Sequence, residues 1–259
     1  MKRLAIVVPY RDRQAHLNQF VPHLRTYFTR DKLDKDIEYS VVIVEQTPGL
    51  PFNRGALNNI GFLLKERESD YTCFHDVDYL PVWADYSYAE EPTPILWYGA
   101  ETRPIAPGKS QLYAIHDPES LFGGATLIPN SVFRGVNGFA NDYWGWGFED
   151  LDLKARFHVT GVPIGRRKGS FVALDHDSSG FTVAGKASLI SDVNGRMFHD
   201  RLAKGVMAEE NGLSNLRYDI VRRVAIEETP GQRPATWEIV TVAIGNQPTA
   251  EQIEAIRQA

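Results

Sequence analysis

Short apolar runs that alternate with helix-spaced stretches constrain this chain most. Residues 4–8, 39–44 and 71–74 are brief, rich in β-branched or aromatic residues, and read as buried strands. Between the first two runs, Leu17, Phe20, Val21, Leu24 and Phe28 recur at helical spacing, with Pro22 predicting a kink or an irregular turn. Between the second and third, Leu57, Ile60 and Leu64 mark another helix face. Strand, helix, strand, helix, strand is the alternation of a parallel α/β sheet. Further along, strands are expected near 95–98, 123–128 and 171–174, and a helix over 149–159. Residues 217–226 and 237–244 alternate like late edge strands. The Ser-, Gly- and Asp-rich stretch 178–195 reads as a mobile loop. With no internal repeat or low-complexity linker, residues 1–245 are expected to form one domain and 246–259 a C-terminal helix or tail.

The net charge of −5 leaves no basic stripe for a phosphate backbone, so a nucleic-acid partner is not implied. Cys73 is the sole cysteine, which rules out an intramolecular disulfide and favours a reducing compartment. The apolar start before Pro9 is too short for a signal-peptide core, and no segment is long enough to span a membrane. The expectation is a cytoplasmic protein, with peripheral attachment to the inner face of the membrane also allowed.

In α/β sheets, ligands bind beyond the carboxyl ends of the strands. Polar clusters fall at those places: Pro9-Tyr10-Arg11-Asp12-Arg13, then Phe52-Asn53-Arg54, then Asp76-Val77-Asp78. Arg11, Arg13 and Arg54 offer forked, permanent charge suited to phosphate and uracil, although each taken singly also fits an ordinary surface arginine. Strand alternation would put Asp76 and Asp78 on one side and Val77 on the other. Two such carboxylates repel unless a cation or donors offset them, and a hard divalent ion bridged to a diphosphate would do so. The plain alternative is a solvated pair in a loop. The segment Tyr143-Trp144-Gly145-Trp146-Gly147-Phe148-Glu149-Asp150-Leu151-Asp152 combines indoles, permissive glycines and acids. Indoles suit a sugar face, and a carboxylate suits a proton. Core packing for the indoles and a helix start for the acids are the competing readings. His176, between Asp175 and Asp177, reads either as a hydrogen-bonded structural histidine or as a metal ligand.

With these residues in view, the chain resembles the β-1,4-galactosyltransferase family, family 7 of the glycosyltransferases, in a bacterial-type form. The match runs over most of the chain. It includes Pro9-Tyr10-Arg11-Asp12-Arg13-Gln14-Ala15-His16-Leu17, Phe52-Asn53-Arg54-Gly55-Ala56-Leu57-Asn58-Asn59, Asp76-Val77-Asp78, Phe122-Gly123-Gly124, Asn137-Gly138-Phe139, the Trp144 segment and Gly212-Leu213-Ser214-Asn215. The resemblance implies a GT-A fold, a Rossmann-like mixed sheet flanked by helices. It also implies a UDP-sugar donor, Mn²⁺ and inversion at the anomeric carbon. It places Pro9, Arg11, Arg13, Phe52, Arg54, Asp76, Val77, Leu121, Gly124 and Trp146 at the donor, with Asp76 near the ribose. Asp78 and His176 would bind the metal, Asp150 would be the catalytic base beside Glu149, and Trp146, Glu149 and Asp150 would meet the acceptor.

The chain departs from the family pattern at informative places. Leu151 stands where a further Asp usually helps to hold the acceptor sugar, which argues against a simple N-acetylglucosamine or xylose terminus. Leu121 stands where galactose-transferring members usually carry Tyr, and a smaller side chain makes room for an acetamido group. UDP-GalNAc is therefore expected as donor ahead of UDP-Gal, with a glycan hydroxyl as acceptor in a β-linkage, β-1,4 by resemblance. A further metal ligand would have to come from around Ala173, Leu174, Asp175 or Asp177. The alternatives are an inactive nucleotide-sugar or glycan-binding module, and a UDP-sugar hydrolase.

Overall fold

The computed structural model describes residues 2–30, 37–96, 98–106, 109–113, 122–174, 182–183, 186–187, 189–205, 211–226 and 236–258. Its first half alternates β1 (Arg3–Tyr10), α1 (Gln14–Arg30), β2 (Glu38–Gln46), α2 (Arg54–Lys65) and β3 (Tyr71–His75). β1 pairs in parallel with both β2 and β3. Period-two alternation divides their side chains between two cores. Leu4, Ile6, Val8, Val41, Ile43 and Cys73 join Phe20, Leu24 and Phe28 of α1. Val7, Val42, Val44 and Phe74 face the other way, onto Leu57 and Ile60 of α2. Burial on both faces explains why these strands read as continuous apolar runs. α1 continues as helix through Pro22. α2 lies close on the sheet because residue 61 is glycine: a Cβ there would come within 2.2 Å of a Val7 methyl.

β4 (Tyr79–Ala84), β5 (Thr93–Pro94), β6 (Tyr98–Ala106), β7 (Lys109–Tyr113) and β8 (Ala125–Pro129) follow. The strand expected near 95–98 is therefore split, with Ile95 and Leu96 lying between β5 and β6. After α3 (Asn130–Gly135) and α4 (Glu149–Val159) come β9 (Gly169–Ala173), β10 (Thr182–Val183) and β11 (Lys186–Ala187). The chain continues with α5 (Leu189–Lys204), β12 (Tyr218–Ala225), β13 (Thr236–Ile244) and α6 (Ala250–Arg257).

The main sheet runs β12-β13-β2-β1-β3-β8-β5, and a smaller one runs β4-β9-β6-β7. The main sheet is mixed: β13, β2, β1 and β3 are parallel, while β12 and β8 pair antiparallel to their neighbours. Two sequence expectations change. β13 is not an edge strand but lies between β12 and β2, with Val240 and Val242 buried. Residues 189–195 are not loop but the start of α5, where Ile190, Val193 and Asn194 are buried against α6 and the segment before α4. The rest of the expected mobile loop falls largely outside the described residues. No described helix is long and apolar enough to cross a membrane.

Candidate active site

The site forms where β1 and β3 end and where α2 and α4 begin. Asn53 caps α2: its side-chain oxygen accepts from the Ala56 N–H at 2.8 Å, while its own amide donates to the Asn141 carbonyl at 2.7 Å. This fixes Arg54 as the first residue of the helix. The Arg54 Nε donates to Asp76 Oδ1 at 2.8 Å, and Nη1 donates to Glu149 Oε1 at 3.3 Å. One largely buried guanidinium thus joins an acid after β3 to an acid at the start of α4. Burial works against its charge, but Asp76, Glu149 and Asp150 outweigh that and hold it firmly protonated.

Asp76, Val77 and Asp78 form the turn between β3 and β4, so the expected strand alternation does not apply to the two acids. Each meets its own arginine. Asp78 is buried, and its Oδ2 accepts from Arg13 Nη1 at 2.9 Å. Val77 is buried in the core between them. Arg11 donates to the Leu50 carbonyl at 2.7 Å and lies 5.5 Å from the centroid of the Phe52 ring. Pro9 sits within β1 opposite Val44. Gly124 takes φ +84°, which favours glycine, and its carbonyl accepts the Asp76 N–H at 2.8 Å.

Behind this turn, His75 is fully buried. Its Nδ1 meets the Asp76 carbonyl and its Nε2 meets the Tyr86 hydroxyl, each at 2.9 Å. A carbonyl only accepts, so Nδ1 carries the proton and Nε2 accepts from Tyr86. Burial pushes His75 down to about 4, which keeps the ring neutral near pH 7.

α4 begins after Gly145 and Gly147, both at positive φ, and after Phe148, which is itself left-handed at φ 75°. The first-turn acids complement the helix dipole, but their environments differ. Burial first, and then the charge of Asp150, push Glu149 up to about 7 against the pull of Arg54. Asp150 Oδ1 accepts the Leu151 N–H at 2.9 Å. On its other side, a Cβ added to Gly123 would lie 2.6 Å from Asp150 Oδ2 and 3.7 Å from Arg54 Nη2. A small, mainly apolar cavity lies below, lined by Arg54, Phe74, Phe122, Gly123, Asp150 and Leu153. Asp152 has a different role: buried, it pairs with Arg156 at 2.6 Å and accepts from the Tyr143 hydroxyl at 3.0 Å. The indoles divide in the same way. Trp144 is core, while Trp146 is 38% exposed and Leu151 40%.

The structure thus brings Arg54, Asp76, Gly124, Glu149 and Asp150 together and places Arg13, Asp78, Arg11 and Phe52 on the adjoining loops. Leu121 and His176 lie outside the described residues. Leu174, two residues before His176 in sequence, donates its N–H to the Asp78 carbonyl at 2.7 Å. Among the described residues no three His, Cys, Asp or Glu side chains form a metal-ligand set. Gly123 was not among the residues expected at the site. The glycine pair in Phe122-Gly123-Gly124 was the available signal, because adjacent glycines permit close approach by a side chain as well as an unusual φ.

Residues 1–89 match the family described as the N-terminal region of glycosyl transferase group 7, and residues 110–177 match one described as the N-terminal domain of galactosyltransferase. This chain belongs to glycosyltransferase family 7. Among its family-7 relatives, the β-1,4-galactosyltransferase 4 of Mus musculus is 31% identical over 250 residues, which are 94% of this chain and 65% of the relative. The β-1,4-galactosyltransferase 7 of Homo sapiens is 33% identical over 167 residues, 64% of this chain and 47% of that one. The chain therefore spans about two thirds or less of these curated relatives. The catalytic domain of Drosophila β-1,4-galactosyltransferase 7, solved in complex with xylobiose, superposes with a TM-score of 0.71 at 24% identity, covering 95% of this chain and 96% of that one. A mutant of the same Drosophila protein, in complex with manganese, UDP-Gal and xylobiose, gives a TM-score of 0.70 at 25% identity over the same shares. The mixed sheet flanked by helices is thus the GT-A architecture of this family's catalytic domains.

Proposed function

We propose that this chain is an inverting, metal-dependent transferase that moves galactose from UDP-Gal to a hydroxyl of a glycan acceptor. The observation that carries this reading is the seating of Asp150 against Gly123 beside Arg54, which also holds Asp76 and Glu149. The likeness to β-1,4-galactosyltransferases, one solved with manganese, UDP-Gal and xylobiose, supports the choice of donor and metal.

In the reaction, the acceptor oxygen forms its bond to the anomeric carbon as the bond from that carbon to UDP breaks. The acceptor proton passes to the Asp150 carboxylate. Asp150 is held for this by the Leu151 N–H on one oxygen and by the flat Gly123 backbone against the other. Glu149, raised to about 7, is poised to keep a proton near neutral pH and to donate a hydrogen bond to an acceptor hydroxyl. Arg11, Arg13 and Arg54 supply positive charge for the diphosphate, and Phe52 supplies an apolar face for uracil. Trp146 offers the exposed indole for the sugar.

Asp78 fits a hard divalent cation in donor type: it is a buried carboxylate, whose Oδ2 accepts from Arg13 and would exchange that partner for the metal. Asp78 and His176 would hold Mn²⁺, which when bound would offset the charge developing on departing UDP.

GalNAc is the second reading for the donor, favoured by Leu121 in the sequence. The test is turnover by the purified chain with Mn²⁺ and either UDP-Gal or UDP-GalNAc, across a panel of glycan acceptors in which xylobiose and N-acetylglucosamine are the termini that Leu151 argues against. Transfer from UDP-Gal is expected, falling about 10²- to 10⁴-fold in Asp150→Asn. Transfer from UDP-GalNAc alone would overturn the donor assignment. UDP release indifferent to acceptor would mark a hydrolase, and an Asp150→Asn variant as fast as wild type would remove Asp150 from the base role.

A further inference from the structure

The exposed Trp146 lies in a segment held from two directions. On one side the Gly145 N–H donates to the Phe52 carbonyl at 2.8 Å, tying the segment to the donor-side loop. On the other side it rests on α5 and α6. The Asn194 side chain of α5, fully buried, donates to the carbonyls of Trp144 at 3.1 Å, Trp146 at 3.0 Å and Gly147 at 3.3 Å. Those carbonyls lie outside any helix or strand, in a segment where Gly145, Gly147 and Phe148 take positive φ. Asn194 gives these carbonyls, one buried and two partly buried, a side-chain donor.

The orientation of Asn194 is set in turn from α6. Gln252, also fully buried, donates from Nε2 to Asn194 Oδ1 at 3.0 Å and to the Asp142 carbonyl at 2.7 Å. An amide whose oxygen is engaged by Gln252 must turn its N–H₂ towards the loop. The Gln252 oxygen is engaged too: it accepts the Thr249 N–H at 3.0 Å, half of the capping box that starts α6. One side chain therefore both nucleates the C-terminal helix and orients the residue that pins the loop. Ile190 and Ile256 close the arrangement, since a Cβ at Gly145 would come within 2.9 Å of the first and 3.3 Å of the second.

We propose that Asn194 and Gln252 are positioning residues for the Trp146 segment, so that the C-terminal helix α6 sets the acceptor side of the site. The consequence for turnover rests on the transferase reading above, whereas the latch itself does not.

The test is amide hydrogen exchange on the full chain, comparing wild type with Gln252→Glu. That variant keeps the capping oxygen and loses both N–H donors. Exchange at Gly145 is expected to rise about tenfold or more, the factor that corresponds to one lost hydrogen bond of ordinary strength. Amides of β1, β2 and β3 should stay within about twofold. With UDP-Gal and a glycan acceptor that the wild type uses, KM for the acceptor should rise about tenfold while KM for UDP-Gal holds within about twofold. Unchanged exchange at Gly145, or a rise shared equally by the central strands, would overturn the proposal. If Gln252→Glu fails to fold, Thr249→Ala weakens the same cap from the surface and should give the same loop-selective pattern at smaller amplitude. Loss of stability without that selectivity would count against the latch. Exchange needs no turnover, so a wild type that transferred no galactose would sink the transferase reading and leave the latch to be judged on exchange alone.

Discussion

The Asp150 carboxylate rests against Gly123, so close that a methyl group at residue 123 would stand 2.6 Å from Oδ2. Gly123 is not among the glycines at positive φ, so the need for glycine here is steric rather than conformational. Gly123→Ala is therefore expected to fold and to push the carboxylate away. A displacement of about 1 Å at a reacting group costs on the order of 10² in rate. The check is kcat with UDP-Gal and a glycan acceptor that the wild type uses, alongside thermal unfolding. A variant with wild-type kcat would show that Asp150 has room to move.

Asp150 and Asp152, two residues apart on α4, should respond in opposite ways. Asp152→Ala leaves Arg156 buried without its partner, and breaking such a pair costs about 3–5 kcal/mol. Asp150→Asn breaks no ion pair among the described residues and should leave denaturant stability within about 1 kcal/mol. Urea titration of both variants checks this, and an Asp152→Ala protein as stable as wild type would deny the pair its structural role.

The pH dependence of stability should expose Glu149. Its pKa rises from an unfolded value of 4.5 to about 7 in the fold, so the folded chain holds the proton more tightly. The stability it contributes is full below pH 4.5 and is lost as pH rises through about 7. The shift corresponds to about 3 kcal/mol at most. His75 has the opposite sign: with its pKa lowered from 6.5 to about 4, it contributes stability above pH 6.5 that is lost as pH falls through 4. The two slopes oppose each other over the shared window. Glu149→Gln is expected to unmask the His75 slope, giving a steeper loss of stability on acidification from pH 6.5 to 4.5 than wild type shows. Parallel curves for the two proteins would remove the shift at Glu149.

Chelation with EDTA should abolish transfer and added Mn²⁺ should restore it. Asp78→Asn should lower kcat about 10²-fold or more, within the several kcal/mol that a cation contributes to a leaving diphosphate. Activity of Asp78→Asn that saturates at the wild-type Mn²⁺ concentration would take Asp78 out of the metal site.

Local sequence was enough for the elements whose burial shows over a short window. β1, β2 and β3 were legible as short continuous apolar runs and α1 and α2 by their helical period, and the clusters after β1 and β3 were legible because strand ends are where polar loops must fall. Order within the sheet was not, since the pairing of β13 with β2 rather than at an edge depends on segments far apart in the chain. α5 was hidden for a related reason. Ser191, Asp192 and Gly195 give it a loop-like composition, and only packing against α6 and Phe148 makes the helix worthwhile. The site follows the same division. Residue types announced acids, arginines and an exposed indole, but three acids in ten residues carry no label for their roles. Tertiary structure assigned them by surroundings: Arg156 and Tyr143 hold Asp152 in the core, Arg54 and burial tune Glu149, and the bare face of Gly123 seats Asp150. The same is true of Asn194 and Gln252, whose meaning lies wholly in hydrogen bonds between distant segments. A side chain's type is local, whereas its charge state, orientation and partner are set by whatever the fold brings against it.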